Sequence, residues 1–152
     1  MTNYNELNLI SKTYFLSDQY EITTLSNASA LLNDYLKDVS WVGFYLFKDN
    51  HLILGPFQGR VACTTIGLDK GVCGKAAREL KTVIVPNVHE FEGHIACDSR
   101  SNSEIVLPII INNKLYGVLD IDSTSFNRFN EIDGKELSTF IDNLSLTLIK
   151  YL

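Results

Sequence analysis

Trp41-Val-Gly-Phe-Tyr-Leu-Phe47, Leu52-Ile-Leu-Gly-Pro-Phe57 and Arg60-Val-Ala-Cys-Thr-Thr-Ile66 follow one another with Asp49-Asn50 and Gln58-Gly59 as the turns between them. Aromatic and β-branched runs bounded by turn residues read as strands, so this stretch predicts a three-strand meander. Before it, Leu7, Leu9, Ile10 and Tyr14 to Leu16 mark one helical segment, and Tyr20 to Leu36, with Leu and Ala at three- and four-residue spacings, marks a second. After it, Gly67 to Gly74 is a glycine-bearing loop leading into a short helix over Val72 to Leu80. Thr82 to Val88, Ile105 to Asn112 and Leu115 to Ile121 are the next strands, with Asn112-Asn113 as a tight hairpin turn. Glu131 to Leu152 then forms an amphipathic helix whose apolar stripe is Ile132, Leu137, Phe140, Ile141, Leu144 and Leu148. This order implies an α+β fold in which helices pack against a central, largely antiparallel sheet of about six strands.

A chain of 152 residues that is 45% hydrophobic has the material for one core, so residues 1–152 are expected to form a single domain. The net charge of −5, without a Lys and Arg cluster, argues against a nucleic-acid partner, because such binding draws on clustered cations that displace counterions. Met1 to Lys12 lacks both the basic start and the apolar stretch of a secretory signal. The longest apolar run, Ile105 to Ile111, is interrupted by Pro108 and falls far short of the roughly 18 residues a membrane span needs. A cytoplasmic protein with no membrane partner is the expectation.

Cys63, Cys73 and Cys97 form an odd set, and in a reducing compartment that points to redox or catalytic use rather than structural disulfides. Their spacings of ten and twenty-four residues, even with His89 and His94 nearby, match no compact zinc pattern, so no metal site is expected. Each also reads as a buried small hydrophobe. Alternation along Leu115-Tyr-Gly-Val-Leu-Asp-Ile-Asp122 puts Tyr116, Val118, Asp120 and Asp122 on one side of a strand and Leu115, Gly117, Leu119 and Ile121 on the other. Two carboxylates sharing a partly buried face raise one another's proton affinity, and one can then stay protonated as a donor near neutral pH. The alternative is a solvated strand face. Trp41, Gly43, Tyr45 and Phe47 likewise share a face, either as plain core or as two rings flanking a notch at Gly43. His89 to Ser103 is a long polar stretch between strands, of the length usual for lids and binding loops, with Cys97 in its middle and Glu104 just after it.

Trp41-Val-Gly-Phe-Tyr45, Gly55-Pro-Phe-Gln-Gly59, Cys63, Gly71-Val-Cys-Gly74, His94-Ile-Ala-Cys-Asp-Ser99, Ser103-Glu-Ile-Val106 and Gly117-Val-Leu-Asp-Ile-Asp-Ser123 occur in this order over nearly the whole chain. Together they resemble the free methionine-(R)-sulfoxide reductases, which are built on a GAF domain and reduce the R epimer of free, not peptide-bound, methionine sulfoxide. The resemblance implies a GAF-like sheet with the N- and C-terminal helices on one face and the short helix and long loop on the other. It implies Cys97 as the attacking thiol, Cys63 as the resolving thiol and Cys73 as an auxiliary cysteine. It implies Trp41 and Tyr45 as walls for the sulfoxide methyl, and Glu104, Asp120 and Asp122 as the acids that bind substrate. No bound cofactor is implied. The external reductant would be thioredoxin, drawing on NADPH through thioredoxin reductase, and the assembly a homodimer.

Sulfoxide reduction needs a thiolate to attack sulfur and an acid to protonate the departing oxygen. The resulting sulfenic acid on Cys97 would condense with a second thiol to a disulfide, which an external dithiol reopens. The acids would also suit the α-ammonium of a free amino acid, with Arg100 or backbone N–H groups for its carboxylate. A carboxylate cluster raises the pKa of a neighbouring thiol, so His94, Arg100 or backbone dipoles would have to compensate at Cys97. The competing reading is a GAF module that senses a cyclic-nucleotide-like molecule without chemistry. For that reading Asn113-Lys114, Phe126 and Asn130-Glu131 resemble an Asn-Lys, Phe, Asp-Glu signature, with Asn130 where Asp is expected.

Overall fold

Asp49-Asn50 and Asn112-Asn113 all take positive φ, between 51° and 62°, the conformation that closes a tight hairpin without splaying its strands. Around these turns the computed structural model, which describes every residue except Ala96 and Asp98, builds a six-stranded sheet. The strands are β1 (Trp41–Lys48), β2 (His51–Gln58), β3 (Thr65–Gly67), β4 (Val83–Val85), β5 (Ser103–Ile111) and β6 (Lys114–Ser123). Their order is β3-β2-β1-β6-β5-β4, and every neighbouring pair is antiparallel. Strands β1 and β6 are therefore central, and each meander extends the sheet outward from them.

Three helices cover one face: α1 (Tyr4–Ser11), α2 (Glu21–Tyr35) and α4 (Glu131–Leu148). They bury Leu7, Leu25, Leu32, Leu137, Phe140 and Leu144 against Val42, Phe44, Leu107, Leu119 and Ile121. The fourth helix, α3 (Gly71–Glu79), lies on the opposite face, where Val72, Cys73, Ala76 and Ala77 pack with Trp41, Tyr45, Val106 and Val118. The α+β arrangement and the division of helices between the two faces agree with the sequence reading. Helix α4 starts from a reciprocal cap in which Asn130 accepts from the Asp133 N–H and Asp133 accepts from the Asn130 N–H. It ends at Leu148 and gives way to a 3-10 turn over Ile149–Tyr151.

Several expectations need correction. Tyr14 to Leu16 form turns after α1 rather than helix. Ile132 stands exposed in the first turn of α4, outside the buried stripe. The third strand keeps only Thr65–Gly67, because the chain leaves the regular ladder over residues 60–64, where the Arg60 and Cys63 carbonyls are taken by side chains of β1 and the Thr64 carbonyl accepts from the Leu54 N–H of β2. The fourth keeps only Val83–Val85, since Pro86 has no N–H to continue the pairing and Val88–Glu90 closes into a 3-10 turn. Tyr116 lies on the helical face with Leu119, donating its hydroxyl to Glu21 at 2.6 Å, not on the face of Asp120. The register between β5 and β6 slips at Ile109/Ile110, which leaves Tyr116 as an extra residue and reverses the alternation before it.

Candidate active site

Cross-strand register assembles the acids. Asp122 stands opposite Trp41 on β1 and opposite Glu104 on β5, and Asp120 stands opposite Gly43 and Val106. Directly opposed residues in an antiparallel pair share a face, so Glu104, Asp120, Asp122, Trp41 and Tyr45 converge on the side covered by α3. There they line one cavity together with Cys73, Cys97, His94, Ser101 and the N-terminal residues of α3, Gly71 and Val72, with Lys70 just before them. The free space left inside is about 40 Å³, room for only a few water molecules.

Glu104 and Asp120 are nearly sealed from solvent, at 7% and 6% exposure. Burial pushes the Glu104 carboxyl well above the usual carboxylate range, and the charges of Asp120 and Asp122 push it further. Burial raises Asp120 as well, against hydrogen bonds from Glu104 and Cys73 that favour its charged form. Burial thus favours retention of a proton by the pair as a unit. Desolvation also drives the Cys73 thiol well up, reinforced by the same acids. His94 approaches Glu104 to 4.0 Å, but burial and the neighbouring His89 lower its pKa, so at neutral pH the imidazole is uncharged and the contact is not an ion pair. His94 consequently does not supply the positive charge that would offset the acids beside a thiolate. Arg100 is exposed and is not among the described residues lining the cavity.

The aromatic walls hold the backbone of the Cys63 segment. The Trp41 indole N–H donates to the Arg60 carbonyl at 3.0 Å, and the Tyr45 hydroxyl donates to the Cys63 carbonyl at 2.8 Å. Cys63 is thereby fixed beside the cavity, and it forms a disulfide with Cys97 across a Cα–Cα distance of 5.4 Å. Cys73 stays a free, buried thiol. The notch expected at Gly43 is not open. A Cβ there would meet the Phe57 Cβ at 2.3 Å and the Trp41 ring at 2.8 Å, so the missing side chain makes room for Phe57, which stacks on Trp41 with ring centres 5.1 Å apart. The motif around Cys97 includes Ala96 and Asp98, which lie outside the described residues.

The GAF domain family model matches residues 23–148. A free methionine-R-sulfoxide reductase of Escherichia coli is 46% identical over 145 residues, spanning 95% of this chain and 88% of that protein. The chain belongs to the free methionine-R-sulfoxide reductase family. Within that family, the fRMsr of Staphylococcus aureus solved in complex with substrate superposes with a TM-score of 0.92 at 47% identity, covering 97% of both chains. The Neisseria meningitidis free methionine-R-sulfoxide reductase, also in complex with its substrate, gives 0.91 at 35% identity over 97% of this chain and 91% of that one.

In this member of the reductase family, sequence reasoning named the side chains but missed what the backbone does. The roles of the Arg60 and Cys63 carbonyls, and of the α3 N-terminus at the cavity wall, depend on long-range packing that no local motif encodes. The one local signal was Gly71, whose φ of +70° opens α3 at the cavity edge.

Proposed function

We propose that this chain reduces free methionine-(R)-sulfoxide to methionine in the cavity over β1, β5 and β6. The observation that carries the reading is the Cys63–Cys97 disulfide beside a cavity that holds three acids and two aromatic walls. In the reduced state the Cys97 thiolate attacks the sulfoxide sulfur, and the proton shared by Glu104 and Asp120 moves to the sulfoxide oxygen. The hydroxyl then passes to the Cys97 sulfur as the bonds from the substrate sulfur to oxygen and to Cys97 both break, so methionine leaves with its sulfur reduced and Cys97 becomes a sulfenic acid. The Cys63 thiol then displaces that oxygen as water and forms the disulfide, so one sulfoxide is reduced for each pair of thiols oxidised.

The substrate's α-ammonium is met by the acids, Asp122 among them, and its α-carboxylate by the N-terminal turn of α3, whose N–H groups and dipole suit an anion. Trp41 and Tyr45 enclose the methyl group. Cys73 is an auxiliary thiol. The disulfide is reopened by thioredoxin, itself reduced by NADPH through thioredoxin reductase, which fits a cytoplasmic setting where dithiols are kept reduced. Among the described residues, no helix is long and apolar enough to cross a membrane. Residues 1–152 act as one GAF-type unit, a view supported by the hydrogen bonds from Asn8 to Glu136 and from Tyr4 to Asp133 that tie α1 to α4. The unit pairs as a homodimer, supported by the exposed Ile132, Leu146 and Ile149 on the terminal helical segment.

The ligand-sensing alternative loses its motif support. Asn113 serves the hairpin turn and Asn130 caps α4, so neither needs a ligand to account for it. The deciding experiment couples NADPH oxidation through thioredoxin and its reductase to resolved epimers of free methionine sulfoxide, with a peptide-bound sulfoxide as control. Steady consumption with the free R epimer alone supports the reading, and none with either free epimer overturns it.

A further inference from the structure

Cys73 is the thiol that the proposed reaction leaves idle, yet it sits against the acids. Its sulfur, one carboxylate oxygen of Glu104 and one of Asp120 all lie within 4.8 Å of one another, and all three residues are more than nine-tenths buried. The second observation is at Asp120, which lines the cavity and whose Oδ1 is sealed from solvent without a hydrogen-bond partner. A buried carboxylate oxygen left unmet is costly and calls for an unseen partner. We infer that Cys73, Glu104 and Asp120 form a binding site for a thiophilic divalent cation such as Zn²⁺, which occupies the cavity in place of substrate.

The chemistry of the donors selects the ion. Zn²⁺ takes thiolate sulfur at about 2.3 Å and carboxylate oxygen at about 2.0–2.2 Å, so ligand atoms around it stand about 3.5 Å apart and the three side chains need only close in slightly. Three protein ligands leave a fourth position open toward the cavity. Mg²⁺ and Ca²⁺ ask for six or more oxygens and gain nothing from a thiol. The ion displaces the Cys73 proton and the proton shared by the carboxyls, so no net charge accumulates in the buried site and affinity rises with pH. The spacing argument that set zinc aside counted cysteines and histidines along the chain. Here one cysteine from a helix meets carboxylates from two strands.

The test uses the intact chain with the Cys63–Cys97 disulfide formed and no thiol or chelator in the buffer, so that Cys73 is the one cysteine thiol left. Cd²⁺ is titrated while the sulfur-to-cadmium charge-transfer absorption is followed, and Zn²⁺ is then added to displace it. Calorimetry in buffers of different ionisation enthalpy counts the protons released. The expected result is one ion per chain, a charge-transfer band removed by Zn²⁺, and more than one proton released per ion. Cys73→Ser loses the band, and Asp120→Asn, which keeps the thiol, binds about a hundredfold more weakly. Absence of the band, undiminished binding by a folded Cys73→Ser, or binding without proton release overturns the inference. Should Cys73→Ser fail to fold, the band and proton count of the parent and the weakening in Asp120→Asn decide. Turnover requires the reduced cysteine pair whereas this titration requires the oxidised one, so failure of one reading leaves the other standing.

Discussion

Replacing Glu104 by Gln keeps the shape of the side chain and removes a proton that the proposed mechanism uses. Glu104 and Asp120 offer oxygens no more than 4.8 Å apart, so two full charges would repel by at least about 3.5 kcal/mol at an effective dielectric constant of about 20. That repulsion, added to burial, favours a proton on the pair where an exposed carboxyl would ionise, and Glu104 is pushed up by burial and by the charges of Asp120 and Asp122. A positioned general acid is worth about 10²–10⁴-fold in rate, so Glu104→Gln should lower kcat by that factor, or about 3–5 kcal/mol of barrier. The thioredoxin-coupled NADPH assay measures it across the neutral and alkaline range. Wild-type kcat/KM falls as pH rises and the pair ionises, and the residual rate of the variant lacks that fall. A variant whose kcat stays within about twofold of wild type, with only KM raised, would show that Glu104 binds substrate and donates no proton.

Cys97→Ser should abolish turnover, whereas Cys63→Ser should release about one methionine per chain and then stall with Cys97 oxidised, as a single-turnover product count reports. Steady turnover by Cys97→Ser would end the assignment. Gly43→Ala should destabilise the fold by about 1–3 kcal/mol in a denaturant melt, because its Cβ would sit 2.3 Å from the Phe57 Cβ, and the displaced Trp41 should raise KM. Glu104 and Asp120 have raised pKa values in the folded state, so their stabilising contribution is complete below the ordinary carboxylate range and is lost as pH rises through the folded values. The substrate-free melting temperature should therefore decline from mildly acidic to alkaline pH, and Asp120→Asn should flatten that decline in a calorimetric pH series.

Features written in local periodicity were legible. The spacing in Tyr20 to Leu36 identified α2, which spans Glu21–Tyr35, and Asn112-Asn113 identified the β5–β6 turn. Asp120 and Asp122 fell on one face because two residues on one strand need no knowledge of any other strand. The failures share the opposite cause. Residues 60–64 look like a strand, but the Arg60 and Cys63 carbonyls are claimed by Trp41 and Tyr45, some twenty residues away in sequence. Tyr116 was placed on the wrong face because the extra residue is visible only against its partner strand. Glu104 alone said little, and it acquires its character from standing opposite Asp122 and beside Asp120 under α3. The pairing of Cys63 with Cys97 came from family resemblance, since nothing in their spacing specifies it.

The distribution of the site between regular and irregular backbone matches what each part would have to do in the proposed reaction. A proton donor and an ammonium binder must keep their geometry through the cycle, and Glu104, Asp120 and Asp122 lie on paired strands at or beside the centre of the sheet, where the ladder fixes every Cα. A thiol pair that alternates between bonded and separated states must instead change its distance, which a ladder resists. Cys63 and Cys97 both lie outside any described strand or helix, Cys63 between β2 and β3 and Cys97 between β4 and β5. Cys73, held in the first turn of α3 and buried to 4% exposure, sits on regular backbone like the acids rather than on irregular backbone like the other two cysteines. Its surroundings suit it to hold something against Glu104 and Asp120 better than to exchange disulfides with a partner protein.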